Sequence, residues 1–273
     1  MTEPRVCTFE AEPAGLRLLG RHPSLAASSA ALPEGAYTSL RTYGGRAVVR
    51  LDLHLRRLEE SAALRGQPGA LDPAATRRAL SVALDTTAHE ESRLRLTFAP
   101  PRLFLAIEPL APLPARLYEE GVACVTVDLR RDNPRAKDTR FIATAQAAYG
   151  RLGAGVEEGL IVAGDGAVLE GLSSNFFAVV GGTLRTEEGR VLAGVTRSLV
   201  LELAEGLMPV DRRAASRDEL ARVDEAFITS VSREVLPVVR IDDRPVGNGR
   251  VGAWTSALLG AFGALVRREA ERL

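Results

Sequence analysis

Two stretches in the second half of the chain each read as strand, glycine-dependent turn, strand, and they limit the fold more than any other feature. GLIVA leads through Asp165-Gly166 into AVLEG, and NFFAVV leads through Gly181-Gly182 into TLRT. Asp-Gly and Gly-Gly supply the positive φ angles of two-residue hairpin turns, so both segments predict antiparallel strand pairs. Other segments carry helical spacing instead: His54 to Ala63, LDPAATRRALSVAL, Thr139 to Leu152, Thr196 to Leu203 and Val251 to Arg272. In the second of these Asp72 serves as N-cap and Pro73 takes the first helical position. The fold class is therefore mixed α/β (α+β).

The first half adds AYTSLRTY, Gly44-Gly45 and AVVRLDL, read as two strands around a turn, and RLRLTFA and RLFLAIE, split by Pro100-Pro101. Pro109, Pro112 and Pro114 then make a stiff, non-helical stretch. This predicts a small N-terminal α/β domain over 1–110, a linker over 111–118 and a larger C-terminal domain over 119–273. GVACVTVDL opens the second domain as a strand, and EAFITS and VLPVVRID follow later.

The formal net charge is zero, with both signs interspersed, so no basic face points to nucleic acid or anionic lipid. Small polar metabolites are the expected partners. Cys7 and Cys124 lie in apolar runs and read as buried thiols rather than a disulfide framework. The start shows no signal-peptide pattern, and no apolar run has membrane length. A cytoplasmic protein is expected.

Of the 35 Lys plus Arg residues only Lys137, in NPRAKDTR, is lysine, so 35 − 1 = 34 are arginine. Arginine stays charged under ordinary conditions, whereas a lysine amine can lose its proton and act as nucleophile or base. The lone lysine is either an amine kept for chemistry or a leftover of compositional bias. Familiar motifs do not decide the matter. GAGVEEG has Glu158 where a dinucleotide loop needs its third glycine, and Ala136 precedes Lys137 where a phosphate loop needs glycine. GLSSN ends in asparagine where a nucleophile elbow needs glycine. His22, His54 and His89 are scattered and make no metal site.

What remains is an amine, a carboxylate in a hairpin (Glu170), an arginine in an early helix (Arg57) and a glycine-led helix start at Val195 and Thr196. Pyridoxal 5′-phosphate needs that set: an amine to condense with its aldehyde, an anion for its pyridine nitrogen, and cationic or amide donors for its phosphate.

HLRRLEESA, then Lys137, DGAVLEGLSSNFFAV, LAGVTR and EAFITSVSREVLPV together resemble the class IV aminotransferases, the fold type IV pyridoxal phosphate enzymes. That family includes branched-chain and D-amino-acid aminotransferases and aminodeoxychorismate lyase. The resemblance implies a small α/β domain, a larger pseudo-barrel domain and a homodimer. It casts Lys137 as the Schiff-base lysine, Glu170 as partner of the pyridine nitrogen, Arg57, Val195 and Thr196 as phosphate ligands, and Ser230, Val231 and Ser232 as the turn closing on the phosphate.

Tyr37 and Arg41, on the first strand, are the implied substrate contacts, and Arg135 and Arg140 flank the lysine. Branched-chain members carry tyrosine five positions after the lysine, where this chain has Ile142; the Arg-x-His pair of D-amino-acid members is absent at Arg102 to Phe104. The implied reaction is transfer of an amino group between an amino acid, branched-chain type first, and a 2-oxo acid. The alternatives are a lyase releasing pyruvate and p-aminobenzoate, favoured by Thr38-Ser39, and a non-catalytic cofactor-binding dimer.

Overall fold

A computed structural model describes residues 5–273, and the chain divides into two compact units. The first runs to Pro112 and also takes Ala136–Ala143 and Arg268–Leu273; the second is Leu113–Arg135 with Thr144–Arg267.

The first unit begins with strands β1 (Val6–Glu12) and β2 (Gly15–His22) and helix α1 (Leu25–Ala30). Strands β3 (Ala36–Arg41) and β4 (Ala47–Val48), helices α2 (Leu51–Leu64) and α3 (Pro73–Thr87), and strands β5 (Ser92–Ala99) and β6 (Arg102–Pro109) follow. Five of these strands make an antiparallel sheet in the order β2-β1-β6-β5-β3. Leu40, Leu94, Leu96 and Ile107 from the sheet pack with Leu51, Leu55 and Leu58 of α2 and Leu80 of α3. Asp72 caps α3 as expected, its side chain accepting from the amides of Ala74 and Ala75.

AVVRLDL is not the strand that its valines predict. Leu51, Leu55, Leu58 and Ala62 form one buried helical stripe, so α2 begins at Leu51, immediately after Arg50 turns left-handed at φ 50. Only Ala47–Val48 remains extended.

In the second unit, α4 (Arg116–Glu120) and β7 (Val122–Val127) come first, and α5 (Arg140–Tyr149) begins beyond the lysine segment. The hairpin strands β8 (Val156–Val162) and β9 (Val168–Gly171), and β10 (Asn175–Val180) and β11 (Thr183–Arg185), match the two glycine turns. Helix α6 (Val195–Glu205), strands β12 (Val210–Asp211), β13 (Glu225–Ser230), β14 (Glu234–Ile241) and β15 (Arg244–Pro245) and helix α7 (Ala253–Glu269) follow, and the terminal β16 (Glu271–Arg272) belongs to the first unit, paired with β4. The segment expected as a linker is largely part of this unit, because Leu113, Leu117 and Tyr118 pack on its core.

Strand pairing runs β10-β13-β14-β7-β8-β9, and β9 returns to pair with β10, closing a barrel-like ring. The closure is a single register pair, Asn175 opposite Glu170. The pseudo-barrel domain is thus present, and a predicted functional carboxylate stands at its seam.

Candidate active site

Lys137 does not belong with the barrel, as the domain boundaries had placed it. Its segment joins the first unit as an extra extended stretch beside β3: Ala36 bridges Asp138, the Tyr37 amide donates to the Lys137 carbonyl at 2.8 Å, and the Thr139 amide donates to the Gly35 carbonyl at 3.1 Å. From the other side, the Lys137 amide donates to Ser61 Oγ of α2 at 3.1 Å. Backbone hydrogen bonds therefore fix the lysine on both sides.

Its ammonium lies over the Tyr37 ring, with Nζ 4.7 Å from the centroid. The Arg95 guanidinium contacts the same ring at 4.9 Å and donates to Leu25 O and Ser29 Oγ. Tyr37 thus meets the lysine as well as a second cation. Arg41 is turned elsewhere, stacked on Tyr43 at 4.6 Å. Arg140 binds the Asp138 carboxylate at 2.6 Å, and Arg135 is exposed.

Arg57 is buried on α2 with its Nη2 donating to Thr38 Oγ1 at 2.6 Å. Burial pushes its guanidinium down to about 10, against weaker support from Tyr37 and Glu60. Thr38 Oγ1 also lies 2.9 Å from His54 Nδ1. Because Arg57 can only donate, Thr38 Oγ1 accepts from it while sharing a second hydrogen bond with His54 Nδ1, which links the three side chains into one chain.

Burial, then the nearby Arg57 and Lys137 charges, hold the His54 pKa well below the ordinary histidine value. The sign follows: the unfolded chain takes up a proton near pH ~6.5 that the native chain refuses. Stability is fully present above that pH and falls as pH drops toward the native pKa, by about 1.4 kcal/mol per pH unit. Urea unfolding followed from pH 7 to 5 should show this slope, and His54→Gln should reduce it.

In the second unit Glu170 is 3 % exposed. Its carboxylate accepts from Arg131 Nη1 at 2.5 Å, from the Leu192 amide at 3.1 Å and from Asn175 Nδ2 at 3.3 Å. Asn175 Nδ2 also donates to Leu192 O at 2.9 Å, tying the carboxylate to the stretch that leads into α6. Gly194, the N-cap of α6, approaches so closely that a Cβ there would stand 2.1 Å from Asn175 Oδ1. Val195 and Thr196 are both buried at the first positions of that helix. Glu170, Arg131, Leu129 and Ile161 line a cavity of about 670 Å³.

Ser230 ends β13, and Val231 and Ser232 form the turn into β14, with the Arg233 amide donating to Ser230 Oγ at 3.2 Å. Thr38, His54, Arg95, Arg131 and Asn175 were not picked out as site residues. Of these, Thr38 stands out in sequence only through the Thr38-Ser39 pair of the lyase alternative, and His54 only by standing three residues before Arg57 on the same helical face.

Residues 35–241 match the model of the family "Amino-transferase class IV". A Methanocaldococcus jannaschii protein assigned to the branched-chain-amino-acid aminotransferases is 30% identical over 253 residues, covering 84% of this chain and 86% of its own. The D-alanine aminotransferase of Bacillus licheniformis is 29% identical over 242 residues, covering 81% and 84%. Among solved structures, the branched-chain aminotransferase of Thermoproteus uzoniensis with norvaline shares the fold at a TM-score of 0.77 and 23% identity, covering 96% of this chain and 95% of its own. The match of motif order, barrel and sequence leads to one conclusion: this chain belongs to the class IV aminotransferases.

Proposed function

We propose that the chain binds pyridoxal 5′-phosphate and moves an amino group between a branched-chain amino acid and a 2-oxo acid. The observation that carries this reading is Glu170, a buried carboxylate with Arg131 paired to it, in a chain with a single lysine.

The residues suit that cofactor. Lys137 is the one side-chain amine for its aldehyde. Glu170, with a cation and two N–H donors on it, suits a protonated pyridine nitrogen. Arg57, the N–H groups of Val195 and Thr196 at a helix start, and the Ser230, Val231 and Ser232 turn suit a phosphate. Thr229 Oγ1, buried next to that turn, lacks a hydrogen-bond partner among the described residues, so it has capacity for an oxyanion or a water.

When bound, the cofactor draws electrons from the α-carbon of the amino acid. With that electron sink in place, the neutral Lys137 amine would serve as the base for the α-proton and, once protonated, as the acid that gives it back. Tyr37 backs the amine and is the better supported of the two substrate contacts, since Arg41 faces Tyr43. Glu170 stays anionic because Arg131, Asn175 and the Leu192 amide favour its charged form. Thr38, oriented by His54, holds the Arg57 fork.

Purified protein given leucine, isoleucine or valine with 2-oxoglutarate is expected to form glutamate. Turnover of D-alanine alone would replace the donor assignment. Release of pyruvate and p-aminobenzoate from aminodeoxychorismate, without a keto acid, would replace the reaction. Arg57→Ala is expected to weaken cofactor retention by about tenfold to a hundredfold, the worth of charge-assisted hydrogen bonds. Dialysis followed by absorbance measures it, and equal retention removes Arg57 from the ligand set. A cytoplasmic homodimer is the proposed working form, its dimeric state checked by light scattering of the purified protein.

A further inference from the structure

The second unit buries another carboxylate, one that the chemistry above does not use. Glu158, on β8, is 0 % exposed. Its Oε1 accepts from Tyr149 OH at 2.6 Å and from the Gly159 amide at 3.0 Å. Its Oε2 accepts from Ser174 Oγ at 2.9 Å, Arg233 Nη1 at 3.1 Å, Ser173 Oγ at 3.2 Å and Ser173 N at 3.3 Å. Packing is close enough that a Cβ on Gly171 would stand 2.2 Å from Ser174 Oγ and 2.8 Å from Glu158 Cγ. A charge this deep is retained only with full pairing, and its pairing ties distant segments to one point.

Two of those segments border the proposed cofactor site. Ser173 and Ser174 occupy the turn between Glu170 and Asn175, and Arg233 directly follows Ser232. Arg233 is held along its whole length. Nε donates to Glu157 at 2.9 Å, Nη1 reaches Glu158 and Ser173 Oγ, the amide donates to Ser230 Oγ, and the carbonyl accepts from Tyr118 OH at 3.1 Å. Burial works against its charge, but Glu158, Tyr149 and Glu157 outweigh it and raise the Arg233 pKa above its ordinary value. Glu234, next in sequence, is left-handed at φ 56. A non-glycine residue keeps that conformation when its surroundings enforce it. Here the Ser230 Oγ bond to the Arg233 amide, the Tyr118 bond to the Arg233 carbonyl and the ties of the Arg233 side chain to Glu157 and Glu158 together hold the backbone that precedes Glu234.

We propose that Glu158 and Arg233 form a buried latch that holds the turn over 230–232 in the shape that receives the cofactor phosphate. Both are positioning residues, and the inference rests on the reading of that turn given under the proposed function. The test compares pyridoxal 5′-phosphate with pyridoxal, which has the same ring and aldehyde but no phosphate. Each is titrated by absorbance into wild type, Arg233→Ala and Tyr149→Phe.

Arg233→Ala is expected to lower affinity for the phosphorylated ligand at least about tenfold while changing that for pyridoxal less than about twofold. Tyr149→Phe removes one donor without stranding a charge, and should show the same selective loss at about threefold. It decides the matter alone if Arg233→Ala does not fold. Variants that keep the wild-type preference for phosphate, or lose both ligands equally, overturn the latch. A wild type that itself shows no preference overturns the phosphate reading of the turn, and the latch with it.

Discussion

Replacing Lys137 by alanine, and equally by arginine, will lower kcat by at least about a thousandfold, the loss expected when the group that both binds covalently and transfers the proton is removed. The backbone around it is held by Ser61 Oγ and by the Tyr37 amide, neither of which depends on the side chain. Both variants should therefore keep wild-type stability within about 1 kcal/mol. Arginine is the sharper replacement: it retains a cation over the Tyr37 ring but cannot give up its proton. Borohydride treatment of the cofactor-loaded wild type, followed by digestion and mass spectrometry, should place a pyridoxyl label on the peptide containing Lys137. With no second lysine in the chain, only an N-terminal amine competes. Normal turnover by Lys137→Arg, or a label found only at the N-terminus, would overturn the role of the lysine.

Local chemistry and long-range pairing differ in how far sequence reveals them. The two hairpins were legible because Gly166, Gly181 and Gly182 adopt positive φ, which Asp-Gly and Gly-Gly announce on their own. Helix α3 was legible because Asp72 and Pro73 mark its start in adjacent positions. Strands β1 and β2 are not legible although they pair directly, because the Pro13-Ala14 turn between them lacks the Asn-Gly, Asp-Gly or Gly-Gly signal of the other hairpins. The start of α2 was misread because VV favours strand, while the deciding fact, burial of Leu51, Leu55 and Leu58 on one core, is tertiary. The same limit explains the site. Lys137, Glu170 and Arg57 stood out by residue type and order, but the assignment of Lys137 to the first unit depends on Asp138 bridging Ala36. The Thr38–His54–Arg57 chain and the Arg131–Glu170 pair likewise exist only once the strands are in register.

Replacing Glu170 will separate stability from rate. Glu170→Ala removes the acceptor from Arg131, Asn175 Nδ2 and the Leu192 amide at once, and Arg131 is itself only 10 % exposed. Breaking one side of a buried ion pair should cost about 3–5 kcal/mol in urea unfolding, since the stranded guanidinium is the larger part of the penalty. The rate should fall by about a hundredfold to a thousandfold in kcat, the usual effect of removing an electrostatic group matched to developing charge. Glu170→Gln keeps the shape and one acceptor oxygen, so its stability cost should be smaller while most of the rate loss remains. The double replacement Glu170→Leu with Arg131→Leu removes both buried charges and should recover much of the stability, yet stay as slow as Glu170→Ala. Rate loss that tracked stability across the three variants would make Glu170 a structural residue of the barrel seam. Rate loss that persists in the stable double variant marks the carboxylate as part of the chemistry, and wild-type kcat in Glu170→Gln would exclude it from that role.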